Sequence, residues 1–304
     1  MLRAPVNSTI VSVSVVVPTI GRVEQLRVCL GSLARCEPRA DEVLVVDQSG
    51  DPAVANLVAG FADAGVKLVR CYGRGPAVGR NDGLRAARNE VVAMTDDDCM
   101  VVPDWVGTVW RLMHEDPDRI VTGRVLTVGD PRSVPSTNEQ TTRRDFTGLA
   151  HHTALFSGNM SVGRERALAH GGFDERFGPD FGGEDNDLCY RWLRAGGRLV
   201  FEPDLVVEHR DWRTPTELAL QYRRYMRGEG FFYAKHLRAG DVRMLRYLAR
   251  DVVWALRGLA AAVLKPRREW PDPRRAIIRG LPAGLYHGVR VFWLRRPGRR
   301  SAPV

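Results

Sequence analysis

The chain is poor in cysteine, lacks long apolar runs and shows no internal repeat. Its five cysteines, Cys29, Cys36, Cys71, Cys99 and Cys189, are odd in number and include no CxxC pair. That spacing excludes a disulfide framework and a four-cysteine zinc module, so reduced, buried thiols are expected. No stretch approaches the roughly 18 consecutive apolar residues needed to span a bilayer. The first ten residues, Met-Leu-Arg-Ala-Pro-Val-Asn-Ser-Thr-Ile, lack the charged-then-apolar plan of a secretion leader, and a cytoplasmic location is expected. Nothing in the chain resembles an RNA- or DNA-recognition module, so no nucleic-acid partner is expected.

What is present is a globular composition: 44% of the 304 residues are hydrophobic and 27% charged, which places the chain among folded soluble proteins. The formal charge of +9 is uneven. Residues 238–304 hold 16 Arg or Lys against 4 Asp or Glu, a net +12, whereas the first 237 residues carry −3. This shift marks a short N-terminal extension over 1–10, a main domain over 11–237 and a basic tail over 238–304.

Short β-branched runs at Ser14–Pro18, Glu42–Asp47, Val66–Cys71 and Glu90–Thr95 predict buried strands, separated by helical stretches at Glu24–Arg35, Ala53–Ala64 and Ala77–Arg88. Strands alternating with crossover helices imply an α/β fold with a mostly parallel sheet flanked on both faces by helices. Further on, Trp105–Glu115 predicts a helix, Ile120–Val128 a strand, and the polar stretch Asp130–His152 a long binding loop or lid. Leu155–Val162 reads as a strand, Asn186–Ala195 as a helix, Arg198–Glu202 and Leu205–His209 as two strands, and Pro215–His236 as a long helix.

In such sheets ligands lie beyond the carboxyl ends of the strands. Pro18-Thr19, Asp47 and the triplet Asp96-Asp97-Asp98 all fall there. Three adjacent carboxylates repel one another and require positive charge nearby. A strand-end Asp-x-Asp such as Asp96 and Asp98 can hold a hard divalent cation, Mn²⁺ or Mg²⁺, whose remaining positions take diphosphate oxygens. An acidic turn capping the following helix is the plain alternative.

Around the triplet stand further blocks in order: Pro18-Thr19-Ile20-Gly21-Arg22 after the first strand, Asp47 after the second, Gly79-Arg80-Asn81-Asp82-Gly83 before the acidic strand, Gly182-Gly183-Glu184-Asp185, and Glu208-His209. This ordered set resembles the family 2 glycosyltransferases with the GT-A fold, a Rossmann-like, nucleotide-diphospho-sugar transferase architecture, over residues 11 to 235. The resemblance implies a nucleotide-sugar donor along the strand ends, with UDP or dTDP favoured as carrier. It puts Pro18, Thr19, Arg22, Asp47, Arg80, Asn81, Asp96 and Asp97 at the donor. Asp98, with Asp96 and His209, becomes the metal set, and Asp185 the general base. Gly158, Asn159, Glu184 and Trp192 fall on the acceptor side, although Gly158-Asn159 read equally as a buried turn and Trp192 reads more readily as core. Two departures from the family pattern, Ile20-Gly21 and Gln48-Ser49-Gly50, lie in the nucleotide pocket and bear on the base more than on the reaction. The chain lacks the full Gln-x-x-Arg-Trp motif of processive synthases, which favours addition of a single sugar.

The chemistry follows from elementary requirements. An acceptor hydroxyl is a weak nucleophile, and a carboxylate within hydrogen-bond reach can take its proton during attack. Attack opposite the leaving diphosphate inverts the anomeric centre, so base and metal must come from separate segments. A lipid-linked, glycan or small-molecule acceptor for envelope glycoconjugates fits this reading. The rivals are a non-catalytic sugar-nucleotide binder and a sugar nucleotidyltransferase. The latter wants a Gly-rich phosphate loop after strand one, for which Ile20-Gly21-Arg22 is too sparse.

In the tail, Leu245–Leu264 is amphipathic, with Leu245, Leu248, Val252, Leu256 and Leu259 on one face and Arg246, Arg250 and Arg257 on another. With the apolar stretch Leu281–Leu294 and the basic run that follows, residues 245–300 suggest peripheral contact with an anionic membrane surface. Packing on the main domain is the alternative.

Overall fold

The computed structural model describes residues 10–148, 157–264 and 270–294. The chain packs as two compact units. One holds the described residues up to Gly178 together with Glu184–Trp212; the other holds Pro179–Gly183 and the described residues from Arg213 onward.

The first unit is built on one mixed sheet. Strands β1 (Ile10–Thr19), β2 (Arg39–Asp47), β3 (Val66–Arg70) and β4 (Val91–Thr95) alternate with helices α1 (Val23–Leu33), α2 (Pro52–Ala59) and α3 (Pro76–Ala86). After β4 come β5 (Cys99–Val101), α4 (Trp105–Glu115), β6 (Arg119–Val128), β7 (Arg144–Phe146), β8 (Asn159–Gly163), α5 (Arg164–Ala169), α6 (Glu184–Arg194) and β9 (Arg198–Arg210). The strand order is β3-β2-β1-β4-β8-β6-β9-β5, with β7 also on β9. β1 pairs in parallel with β2 and β4, whereas β8 runs antiparallel between β4 and β6. The expected mostly parallel α/β architecture is therefore present.

Alternation along β1 explains the two-sided core. Val13, Val15 and Val17 face one layer with Leu26, Leu30 and Trp105, while Val16 faces the other with Leu84, Met94 and Trp192. All five cysteines are free and buried, as their spacing suggested. On the second face α3 lies close to β1 because residue 83 is glycine: a Cβ there would stand 2.2 Å from Val16 Cγ1.

Two expectations change. The strands expected at Arg198–Glu202 and Leu205–His209 are one strand, β9. Its register against β6 shifts between Gly123 and Arg124, so Pro203-Asp204-Leu205 is absorbed as a bulge. Within the expected polar loop over 130–152 the described part carries β7 and a bridge from Asn138 to Val125. His151 and His152 lie outside the described residues.

The second unit contains α7 (Pro215–Arg238), α8 (Arg243–Leu264) and α9 (Pro273–Val289). The long helix α7 thus groups with the tail instead of ending the main domain at residue 237. Its reason is a glycine stripe on α9: Gly280, Gly284 and Gly288 recur every fourth residue and let the α9 backbone touch α7. Tyr233 on α7 also hydrogen-bonds Asp251 on α8 at 2.6 Å. No described helix is long and apolar enough to cross a membrane.

A Cβ at position 284 would lie 1.9 Å from the Arg227 carbonyl oxygen, a backbone atom that no rotamer change can move. Gly284→Ala gains about 1 kcal/mol of helix propensity but overpacks a contact worth about 1–3 kcal/mol. Net destabilisation of up to about 2 kcal/mol is expected in chemical denaturation.

Candidate active site

The parallel register of β1, β2 and β4 brings their carboxyl ends to one edge, with Thr19 opposite Asp47. Gly21, at φ +97°, turns the chain from β1 toward α1, and a Cβ there would stand 3.0 Å from Ser49 Cβ. This turn sets Arg22 over the acidic triplet.

The three aspartates point in three directions. Asp97 has no exposed surface; its Oδ2 accepts from the Thr19 hydroxyl at 2.7 Å and from Arg22 Nε at 3.1 Å, and its Oδ1 pairs with a terminal nitrogen of Arg22. Asp98 Oδ2 accepts from the Trp212 indole at 2.8 Å, with Arg22 Nη1 at 3.5 Å, and its Oδ1 lies 3.7 Å from His209 Nε2. Asp96 faces the opposite way and accepts from Arg80 Nη2 at 2.9 Å. The positive charge that the triplet requires is thus supplied by two arginines. Arg22 also stacks over Trp212, its guanidinium carbon 5.2 Å from the ring centre.

Arg80, on α3, reaches from Asp96 to Glu184 in the first turn of α6, with which it forms a second ion pair. Burial works against the Arg80 charge, yet Asp96, Glu184 and Asp185 together hold its pKa above the ordinary value. The Glu184 carboxyl is pushed up to about 7, by burial first, with Arg80 pulling down and Asp185 adding repulsion. Its second oxygen, Oε2, is buried with no hydrogen-bond partner among the described residues. Asp185, beside it, accepts from the Ser157 amide at 3.2 Å and the Asn186 amide at 2.8 Å. Strand end and helix start, nearly ninety residues apart in sequence, therefore share one charged cleft.

Among the described residues, Asp98, Cys99 and His209 form the group whose ligand atoms all lie within 4.8 Å of one another. Antiparallel pairing of β5 with β9 causes this, since it sets His209 opposite Cys99. One carboxylate and one imidazole suit Mn²⁺ and leave positions for phosphate oxygens. Cys99 offers a soft sulfur, which Mn²⁺ and Mg²⁺ take less readily than carboxylate oxygen or imidazole nitrogen. The donor set fits a divalent cation held by Asp98 and His209, with Asp96 turned toward Arg80.

Several expected site residues serve elsewhere. Asn81 donates to the Phe173 carbonyl and to Glu175, both at 2.8 Å, and accepts from the Phe173 amide at 2.9 Å. It holds the 173–175 loop, with both amide hydrogens and one lone pair of its oxygen engaged there. Asn159 is fully buried: its amide donates to the Arg124 and Leu205 carbonyls at 2.8 and 2.9 Å and accepts from the Trp105 indole at 2.9 Å. Trp192 is fully buried in the second core layer, on the inner face of α6, and cannot touch an acceptor without opening the core. Gly158 sits in the buried turn before β8. Asp47 binds the Ser49 amide and hydroxyl through Oδ1, at 2.8 and 2.6 Å, while its buried Oδ2 meets no hydrogen-bond partner among the described residues. Pro18 ends β1 against α3, with the Gly79 position close by.

Sequence reasoning missed Trp212 and Ser157 and met Gln48 only as a departure from the family pattern. Gln48 donates to the Gly75 carbonyl at 2.9 Å and so braces the loop that starts α3. A tryptophan three residues beyond His209 was a visible signal; Ser157 carried none.

Comparison with known proteins agrees with this geometry. The model described as Glycosyl transferase family 2 matches residues 14–172, and that described as N-terminal domain of galactosyltransferase matches residues 141–210. The chain is 29% identical over 226 residues to the pre-mycofactocin glycosyltransferase of Mycobacterium tuberculosis, covering 69% of this chain and 46% of that protein. It is 28% identical over 222 residues to the chondroitin synthase of Escherichia coli, covering 60% of this chain and 32% of that one. The chain thus spans half or less of the length of these two relatives. Among solved structures, the mannosyltransferase PcManGT from Pyrobaculum calidifontis, in complex with GDP-Man and Mn²⁺, superposes with a TM-score of 0.57 at 20% identity, covering 94% of this chain and 88% of that one. S. aureus TarS in complex with UDP gives 0.56 at 20% identity, covering 70% of this chain and 64% of that one. These likenesses carry the fold.

Two outcomes are expected from the placements. Asn159→Ala strands two carbonyls and an indole N–H, each costing about 1–3 kcal/mol, so the unfolding midpoint falls while nucleotide affinity, read by calorimetry, stays unchanged. Between pH 4.5 and about 7 the folded chain keeps a proton on Glu184 that the unfolded chain has released. Its contribution to stability is complete below that window and lost as pH rises through it. Glu184→Gln removes that slope in pH-dependent thermal unfolding.

Proposed function

We propose that this chain, which belongs to the glycosyl transferase family 2, is an inverting, metal-dependent enzyme that moves one sugar from a nucleotide-diphosphate donor to an acceptor hydroxyl. The observation that carries the reading is Arg80, which joins Asp96 at the end of β4 to Glu184 at the start of α6. The family membership and the donor complexes of the structural neighbours support the donor class.

In this reading Asp98 and His209 hold Mn²⁺ or Mg²⁺, and Thr19, Arg22 and Trp212 keep Asp97 and Asp98 in place. When bound, the cation supplies positive charge to the departing diphosphate. Asp47 receives the base: its unpartnered Oδ2 complements a ring N–H, which uracil, thymine and guanine offer and cytosine and adenine do not, and the carrier proposed is UDP or dTDP. Arg80 stands between the diphosphate end of the cleft and α6. Asp185, oriented by the Ser157 and Asn186 amides, takes the proton of the attacking hydroxyl. Glu184 Oε2 accepts a second hydroxyl of the acceptor. A second reading makes Glu184 the base, because its raised pKa of about 7 suits proton abstraction near neutrality.

The acceptor is a lipid-linked or glycan hydroxyl used in envelope glycoconjugate synthesis, reached at a membrane surface. Support for the surface comes from α8, where Leu245, Val252, Trp254 and Leu256 are each more than two-fifths exposed beside Arg246, Arg250 and Arg257.

Thermal shift with a panel of nucleotide sugars tests the donor: stabilisation by UDP- or dTDP-sugars that requires Mn²⁺ is expected. Equal stabilisation by nucleoside triphosphates, with pyrophosphate released, would identify a nucleotidyltransferase instead. Asp98→Asn and His209→Ala should each weaken Mn²⁺ binding by at least about tenfold, read by electron paramagnetic resonance. Asp185→Asn should lower kcat by about 10²–10⁴-fold with nucleotide binding intact. If Glu184→Gln gives that loss and removes a pH–rate limb near 7, the base assignment moves to Glu184. Leu256→Ser should reduce flotation with anionic vesicles, and binding should fall with added salt.

A further inference from the structure

The helical unit contains a cavity of about 700 Å³ that shares no residue with the acidic cleft. Its walls come from the first turns of α7 and α9, from Leu259 on α8 and from the loop at Trp270. Arg223, Arg275 and Arg279 line it, and among the described residues none of the three has a carboxylate within 4.0 Å. Asp272 lines it as well. Its two oxygens are engaged by Arg274 Nε and Nη2, at 2.9 and 2.6 Å, so it does not neutralise the three arginines. The N-termini of α7 and α9 are already capped by the carboxylates of Glu217 and Asp272, so the positive character of the cavity comes from its arginine side chains.

Its other surface is apolar. Trp270 and Tyr222 provide flat walls, and burial together with Asp272 raises the Tyr222 hydroxyl above its ordinary pKa, so it remains a neutral donor. Leu259 and Ile278 line the cavity yet are 42% and 44% exposed, which puts them at its mouth. Leu259 also ends a row of exposed residues, Leu245, Val252 and Leu256, spaced at helical intervals along α8. An apolar track on the surface therefore runs into an arginine-lined cavity.

We infer that this cavity binds a phosphate-bearing lipid headgroup, with the guanidinium groups on the phosphate oxygens and the first methylenes along Leu259 and Ile278. Free phosphate would satisfy the arginines but leave the track uncovered. A zwitterionic lipid would bring its own cation against three guanidinium groups. The inference rests on the membrane reading above only for how the lipid arrives, because the cavity itself can be tested without a membrane.

The test is isothermal titration calorimetry of the full chain with dihexanoyl phosphatidic acid below its micellar concentration, beside inorganic phosphate and dihexanoyl phosphatidylcholine. Saturable one-site binding of the phosphatidic acid is expected, at least about tenfold tighter than either control. The double variant Arg275→Gln/Arg279→Gln should weaken it at least about tenfold with its thermal unfolding unchanged. Arg223→Gln, on the other helix, serves as a second variant should the double one unfold. No saturable binding, equal binding of inorganic phosphate, or unchanged affinity in a folded variant would overturn the inference. Leu256→Ser should leave this monomeric binding intact, so a failure of vesicle attachment is read apart from a failure of the cavity.

Discussion

The ion pairs of Arg80 organise the cleft. A guanidinium only 5% exposed has given up most of its hydration, a cost of several kcal/mol unless carboxylates replace the water. Asp96 and Glu184 do so from opposite sides, one from the end of a strand and the other from the start of a helix. Removing either carboxylate would leave the buried guanidinium with one anion instead of two, and removing Arg80 would leave both carboxylates without it. The bridge thus makes the geometry of β4 and α6 interdependent. It also explains why Asp96 is turned away from Asp98, although both belong to the same short motif.

A division of labour within the triplet follows. Adjacent carboxylates are tolerated because donors and cations are spread among them: Arg80 for Asp96, Thr19 for Asp97, Trp212 with His209 for Asp98, and Arg22 shared between Asp97 and Asp98. The central residue, Asp97, is the most structural of the three. It is sealed from solvent and anchors Arg22, which also leans on Trp212. Asp98 keeps one oxygen on the side of His209, where an oxygen-and-nitrogen donor pair suits a hard or borderline cation. The cysteine next to it offers a soft sulfur that such a cation takes less readily.

The helical unit is held by a different device. Glycines every fourth residue on α9 bring two backbones into contact, and Tyr233 ties α7 to α8 through Asp251. With α9 against α7, the large apolar residues along one side of α8 remain exposed, and the arginines that make the tail basic line a cavity beside them. Charge and hydrophobicity are thus sorted onto neighbouring surfaces, which is the pattern an interface between water and lipid requires.

Much of this was legible in the chain itself. Period-two runs separated by amphipathic stretches determined the sheet and its helices, because burial on both faces demands β-branched strands. The strand-end positions of Thr19, Asp47 and Asp96–Asp98 followed, and so did the likeness that paired them with Glu184-Asp185. The tail's charge was visible as composition. Local pattern could not say which polar groups spend their hydrogen bonds inside the core, as Asn81 and Asn159 do. Their partners lie up to 94 residues away, and only packing brings those partners into reach. Nor could spacing reveal that α7 belongs with the tail, because the decisive contact is the absence of a side chain on a distant helix. Residue type and period set what each segment could become; the tertiary structure decided which charge meets which, since electrostatic partners in a folded chain are chosen by distance in space.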